Sequence, residues 1–175
     1  MDFFFYGTLM DADIRAAVMP SVADRLELRP ASVPGWRRVR ASHGSYPVLV
    51  PHRAGRVDGL LARGFDGPSL LRMAHFEGQR YRPVSIATLV AGRRRAAWVF
   101  LPSSSRDAGR QPWTLAAWQR RHKRHLLQRT AHWMGEFGVD EGRGHDVNPL
   151  VRRQLLAFAE FLDLRAVRQE LRRAA

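Results

Sequence analysis

The 175-residue chain contains no cysteine. Disulfides, thiolate nucleophiles, zinc ribbons and iron–sulfur ligation are therefore excluded together, and any catalysis must use oxygen or imidazole groups. Long apolar runs are also missing: Phe3 to Tyr6 and Ala96 to Leu101 are the longest, far short of the ~20 residues of a membrane span, so no membrane partner is expected. The opening Met1-Asp2-Phe3-Phe4-Phe5 lacks the basic and long apolar regions of a secretory signal, which makes the cytoplasm the expected compartment. Lysine is nearly absent, since Lys123 is the one basic residue of 29 that is not arginine.

With 45% hydrophobic and 26% charged residues the composition is that of a globular chain, and its length suits one domain with an appendage. The net charge of +13 would ordinarily point to a polyanionic partner. A binding face needs clustering, however, and residues 1–105 carry 15 arginines against 8 acids while 106–175 carry 14 basic residues against 8. Arg93-Arg94-Arg95 and the cluster at Arg120 to Arg124 are short runs of the kind found on solvated turns and helix faces. Nucleic acid is thus disfavoured as a partner, and nothing in the sequence sets an oligomeric state.

Residues 2–101 read as short strands broken by Gly and Pro. Strands are expected at Asp2 to Tyr6, apolar throughout and therefore central, and at Leu26 to Val33, Trp36 to Ala41, Pro47 to Val50, Val57 to Ala62, Val84 to Val90 and Ala96 to Leu101. Helices are expected at Asp11 to Met19 and about Ser69 to Phe76, the latter capped by Asp66 or Ser69. Ser103 to Gly109 has a linker's composition, and strand patterning stops there. Leu115 to Phe137 patterns as a helix whose core stripe is Ala116, Leu127, Ala131, Met134 and Phe137. Leu150 to Arg173 patterns as a second, with Leu155, Phe158, Leu162 and Val167, and the two are expected to pack as an α-hairpin. This divides the chain into a domain at 1–105 and a C-terminal helical extension at 106–175 packed on it.

Two segments carry chemistry. Gly7-Thr8-Leu9 follows an apolar strand and leads into a helix, so it is either an ordinary turn or a loop whose successive amides face an anion. In His75-Phe76-Glu77-Gly78-Gln79-Arg80-Tyr81-Arg82, a carboxylate closes an apolar helix just before a strand. Glu77 is there either paired with Arg80 or Arg82, or desolvated and raised in basicity toward general-base duty.

Taken together, Phe5-Tyr6-Gly7-Thr8-Leu9-Met10, Pro34-Gly35-Trp36, Ser45-Tyr46-Pro47, Val57-Asp58-Gly59-Leu60 and Phe76-Glu77-Gly78 with Tyr81 and Arg82 resemble the γ-glutamylcyclotransferase-like (AIG2-like) family in order and spacing over about residues 2–101. The resemblance implies an α+β fold, a β-barrel core with flanking helices. It also implies closure of 5-oxoproline from a small-molecule γ-glutamyl amine or peptide, an intramolecular acyl transfer that needs no cofactor and no metal. By position, Glu77 would be the catalytic base and acid, with Tyr6, Gly7, Thr8, Leu9 and Tyr81 binding substrate in a pocket between them. The chain departs from the family at Trp98-Val99-Phe100, where a Tyr-rich strand facing the cavity is usual. Those aromatics and the arginines suggest an apolar or acidic amine fragment.

Other features carry less. His122, His125, His132 and Glu136 share a helical face at spacings that can bind zinc, but Arg129 in the same stripe would repel a cation. Trp113, Trp118 and Trp133 read as packing anchors, and His43, His52 and His75 have no identifiable partner. The competing function is a noncatalytic module whose basic surface docks RNA or an acidic protein.

Overall fold

The computed structural model describes residues 1–78, 80–135, 137, 156–158 and 160. The order is β1 (Asp2–Phe5), a 3-10 turn (Thr8–Met10), α1 (Ala12–Val18), β2 (Glu27–Ala41), β3 (Pro47–Arg63), α2 (Gly67–Glu77), β4 (Tyr81–Val90), β5 (Arg93–Pro102), a second 3-10 turn (Ser105–Asp107), β6 (Ala108–Pro112), α3 (Leu115–Arg121) and α4 (Lys123–Gly135). Five strands, in the order β3-β1-β5-β4-β2, close into a barrel through the β2–β3 pairing, and β6 adds to the far half of β2. β1 lies antiparallel to β3 and parallel to β5, with Phe3 opposite both Ala62 and Trp98.

Strand alternation explains the uninterrupted apolar run at the start of the chain. Phe4 and Tyr6 point into the barrel with Val33, Leu49, Val57, Leu61, Ala97 and Val99. Phe3 and Phe5 point the other way, into a second core shared with the helices through Ile14, Val18, Leu70, Met73 and Trp118. A strand buried on both faces has no solvent side on which to place polar residues.

Several elements are longer than their sequence patterns predict. The two strands expected at 26–33 and 36–41 are one, because the chain runs on through Pro34 and Gly35 instead of turning. Likewise 47–50 and 57–62 are the ends of one 17-residue strand, whose extra residues, including the exposed segment His52 to Ala54, bulge out opposite Gly35. α2 is capped by Asp66, and Ser69 returns the bond to the Asp66 amide, so the two candidate caps are the two halves of one capping box.

The largest difference follows residue 102. Ser103 to Gly109, patterned as a linker, holds a 3-10 turn and the start of β6, which pairs with β2 at Val39 and Ala41. The sheet thus runs on to Pro112. The single helix expected at 115–137 breaks at His122 (φ −130°), and the break shifts its phase. Trp118, Thr130, Met134 and Phe137 are buried, whereas Ala116 and Ala131 are exposed. Of the second expected helix, Leu156 to Phe158 and Glu160 are helical, with Phe158 stacked 5.9 Å from Phe100; Leu155, Leu162 and Val167, and with them the α-hairpin, lie outside the described residues. No helix among the described residues is long and apolar enough to cross a membrane.

The helical layer is tied to the loop after β1 through Asp11. Its carboxylate caps α1 by accepting from the Asp13 and Ile14 amides, and takes hydrogen bonds from Gln119 Nε2 (2.7 Å) and Lys123 Nζ (2.9 Å). Burial opposes ionisation of this side chain, but the bonds from Gln119, Lys123 and Ile14 outweigh it and hold its pKa below the ordinary value. Asp11→Ala removes a cap and strands two donors; we expect a loss of about 1–3 kcal/mol in urea denaturation at neutral pH. The wild-type advantage should shrink as the pH falls through the depressed pKa, because a protonated carboxyl is a weaker acceptor and no longer pairs with the Lys123 charge.

Candidate active site

The candidate residues come from three elements that meet at one end of the barrel. Tyr6 leaves β1, Glu77 ends α2 and Tyr81 begins β4. Pro47 joins the first and last of these. A Cβ on Gly7 would lie 2.9 Å from Pro47 Cγ, so the chain passes Pro47 as closely as only glycine allows, and the Tyr81 hydroxyl donates to the Pro47 carbonyl at 3.4 Å. Gly78 turns the chain from α2 toward β4 with φ +70°, a left-handed conformation that L side chains rarely adopt. This explains the Glu-Gly step in physical terms.

Glu77 is partly accessible at the edge of the core, but desolvation by the surrounding protein pushes its pKa up to about 8. Among the described residues no ion pair reaches it; Arg80 and Arg82 are exposed and do not bridge to it. The pairing that the sequence left open is therefore absent. The charge of Glu77 acts on both Tyr6 and Tyr81: burial raises both hydroxyls far above the phenol range, and the neighbouring carboxylate adds to that rise. Tyr6 is fixed by donating to the Phe100 carbonyl at 2.8 Å. Tyr46, edge-on to Tyr81 at 6.2 Å between ring centres, completes a group that contains all 3 tyrosines of the chain.

The loop itself is a 3-10 turn in which Met10 N and Asp11 N donate to the Gly7 and Thr8 carbonyls. The amides that open such a turn have no acceptor within it. Its carbonyls are held by guanidinium groups. Arg38 Nη1 donates to Tyr6 O at 2.8 Å, and Arg15 Nη1 donates to Leu9 O at 2.9 Å and Met10 O at 2.8 Å. Burial lowers the pKa of both arginines.

Sequence reasoning missed Arg15 and Arg38, and it named Pro47 within the Ser45-Tyr46-Pro47 match without giving it a place in the site. Arg38 lies on the opposite face of β2 from Val39, which reads as a solvent position until β6 is known to bring Trp113 over it. Other expectations need correction. Trp98 and Phe100 pack on the helical layer, with Phe100 stacked 5.8 Å from Phe3, so they say nothing about a substrate. Trp113 and Trp118 are buried, whereas Trp133 is 42% exposed and rests edge-on against His75. His122 sits at the helix break, His125 and His132 are exposed on α4, and Glu136 lies outside the described residues. Among the described residues no group of three His, Asp or Glu side chains is placed to hold a metal ion. Two cavities open away from the candidate site, one of about 290 Å³ at Pro34, Trp36, Leu89 and Arg94 and one of about 440 Å³ at His125, Arg129, His132 and Trp133. Neither is lined by Tyr6 to Leu9 or by Glu77.

Comparison with known proteins bears on the family and the fold. The profile of the γ-glutamyl cyclotransferase, AIG2-like family matches residues 3–120. AIG2-like protein A of Arabidopsis thaliana is 24% identical over 146 residues, 82% of this chain and 87% of that protein. The solution structure of an Arabidopsis thaliana protein superposes with a TM-score of 0.52 at 25% identity, covering 73% of this chain and 86% of that one. A γ-glutamyl cyclotransferase structure shares the fold at 10% identity, with a TM-score of 0.52 over 89% of this chain and 97% of that one.

An unpaired, desolvated carboxyl should leave a thermodynamic mark. In the unfolded chain Glu77 titrates near the ordinary 4.5, and in the folded protein near 8. Between these values the folded state holds a proton that the unfolded state has lost, so this group's contribution is complete below about 4.5 and is lost as the pH rises through about 8. Glu77→Gln removes the titration. Its urea midpoint should therefore exceed that of wild type by a margin that widens from pH 5 to pH 8.5; a constant margin would show a solvated carboxyl.

Proposed function

Because the chain belongs to the γ-glutamyl cyclotransferase, AIG2-like family, we propose that it cyclises the γ-glutamyl group of a small amine or peptide to 5-oxoproline. The observation that carries this reading is Glu77, a carboxyl with pKa about 8 that no arginine among the described residues neutralises, beside the Tyr6 and Tyr81 hydroxyls. A pKa so close to neutrality lets one group both accept and return a proton.

The reaction is an attack within one molecule. The α-amino nitrogen of the glutamyl group forms a bond to its own γ-carbonyl carbon while Glu77 takes the nitrogen's proton. The tetrahedral intermediate then expels the amine originally joined to the γ-carbon, and Glu77 supplies the proton that amine needs. Products are 5-oxoproline and the free amine, and the carboxylate is regenerated. Holding the glutamyl chain folded for attack can contribute about 7–11 kcal/mol, so one proton carrier and a positioned clamp suffice.

In this reading the opening amides at Gly7, Thr8 and Leu9 receive the anionic part of the glutamyl group. Tyr6 keeps its proton because burial and the Glu77 charge raise its pKa, and its bond to Phe100 O makes it a fixed wall. Tyr81 is freer, since its 3.4 Å bond to Pro47 O is long enough to exchange for a bond to substrate.

A screen of γ-glutamyl amines, amino acids and peptides for 5-oxoproline release tests the proposal. For a turned-over substrate, kcat/KM should rise with pH to a plateau above about 8, and Glu77→Gln should cost about 10²–10⁴-fold. Equal turnover by the variant would remove Glu77 from the mechanism, and no turnover across the panel would favour a noncatalytic module with a basic surface.

A further inference from the structure

We propose that Arg38 is a positioning residue for the loop at Tyr6 to Leu9 and that Trp113 is its clamp, which makes β6 and the helix after it part of the working site. The activity arm of this inference rests on the cyclotransferase reading; its structural arm does not.

The contacts form a closed circuit. Arg38 reaches from β2 and donates from Nη1 to Tyr6 O at 2.8 Å and to Asp58 O at 3.3 Å, bridging the exit of β1 to β3. Its guanidinium carbon lies 5.1 Å from the centre of the Trp113 ring. Trp113, 6% exposed, in turn donates from its indole nitrogen to Ser45 O at 2.7 Å. Two residues on, Pro47 presses on Gly7 and accepts from Tyr81. Each member therefore fixes the next, and the circuit returns to the loop from which it began.

Stability alone accounts poorly for a guanidinium in this place. Arg38 Nε is buried with no hydrogen-bond partner, and among the described residues no ion pair includes Arg38. An aliphatic side chain would avoid the cost of a desolvated cation with an unused donor, but it would leave the Tyr6 and Asp58 carbonyls without the bonds that Arg38 gives them. What the arginine supplies is direction: a planar donor, pinned by a ring, that sets the carbonyl at which β1 ends. The other end of the loop is tied to the same C-terminal segment, because Asp11 accepts from Gln119 and Lys123. The segment after residue 107 thus grips the loop before Gly7 and after Met10.

The test uses the full chain with Arg38→Met, Trp113→Leu, the double variant, Trp113→Phe, and Arg56→Met as an exposed control. The first readout is the amide shifts and hydrogen exchange of Gly7, Thr8 and Leu9. Arg38→Met and Trp113→Leu should each displace these resonances and speed their exchange about 10-fold or more, leaving the β4–β5 hairpin unmoved; Trp113→Phe, which keeps a ring over Arg38 but loses the bond to Ser45 O, should move them less than Trp113→Leu, and Arg56→Met should behave as wild type. The second readout is 5-oxoproline release. Both variants should lower kcat/KM about 10–100-fold, chiefly through KM, with the pH profile unchanged. The double variant should lose no more than the worse single one, as expected for members of one circuit. Unmoved Gly7 to Leu9 amides, or fully additive losses, would overturn the proposal. If wild type turns over no substrate, the functional reading fails while the amide readout still decides this one. If Arg38→Met does not fold, the contrast between Trp113→Leu and Trp113→Phe decides it.

Discussion

A strand buried on both faces must leave the core somewhere, and at that point its backbone polar groups lose the sheet without gaining water. β1 leaves at Tyr6, and the structure answers the problem with side chains: Arg38 takes the Tyr6 carbonyl, Arg15 takes those of Leu9 and Met10, and Asp11 takes the first amides of α1. The loop is therefore fixed by its carbonyls, which frees its opening amides from structural work. The barrel, the helical layer and β6 all meet this short stretch, so its geometry depends on every layer of the fold.

Glu77 is the counterpart of that constraint. In a chain with 29 basic residues the easiest fate for a carboxylate is an ion pair, and here Arg80 and Arg82 stand three and five residues away. The turn at Gly78 leads them out to solvent instead. Pairing would stabilise the ionised form and lower the pKa, removing the property on which the proposed proton-carrying role depends. The fold thus accepts a desolvated carboxyl at the edge of its core, a local loss of stability of the kind that functional sites commonly show.

What could be read from the sequence follows from which signals are local. The order of strands and helices up to residue 102, the two-sided burial of β1 and the two site segments could all be read, because each is written in a few consecutive residues. The continuity of β2 through Pro34-Gly35 could not, since the same dipeptide makes turns and only the pairing of Trp36 with Pro51 decides between them. β6 was hidden because Ala-Gly-Arg-Gln-Pro has no strand pattern; an edge strand held by a neighbour needs none. Of the core stripe expected over 115–137, Leu127, Met134 and Phe137 do face the core, whereas Ala116 does not, because the break at His122 puts α3 out of phase with α4. Arg38 escaped notice because strand alternation placed it outside and only Trp113, some 70 residues further on, covers it.

The surplus of arginine has a physical use that composition alone conceals. Arg15, Arg25, Arg38, Arg40 and Arg72 each donate to main-chain carbonyls, of Leu9 and Met10, Ser21, Tyr6 and Asp58, Gly44, and Val18 respectively. Apart from Asp58, which lies within β3, these are places where the chain leaves or bends between regular elements. Lysine could satisfy one such group as a point charge, but a planar guanidinium can bridge two carbonyls and still lie on a ring, as Arg38 does on Trp113 and Arg72 on Phe137. A net charge of +13 is then partly a by-product of backbone bookkeeping in a fold with many exits and bends, and the sign of the total carries less information about a partner than its size suggests.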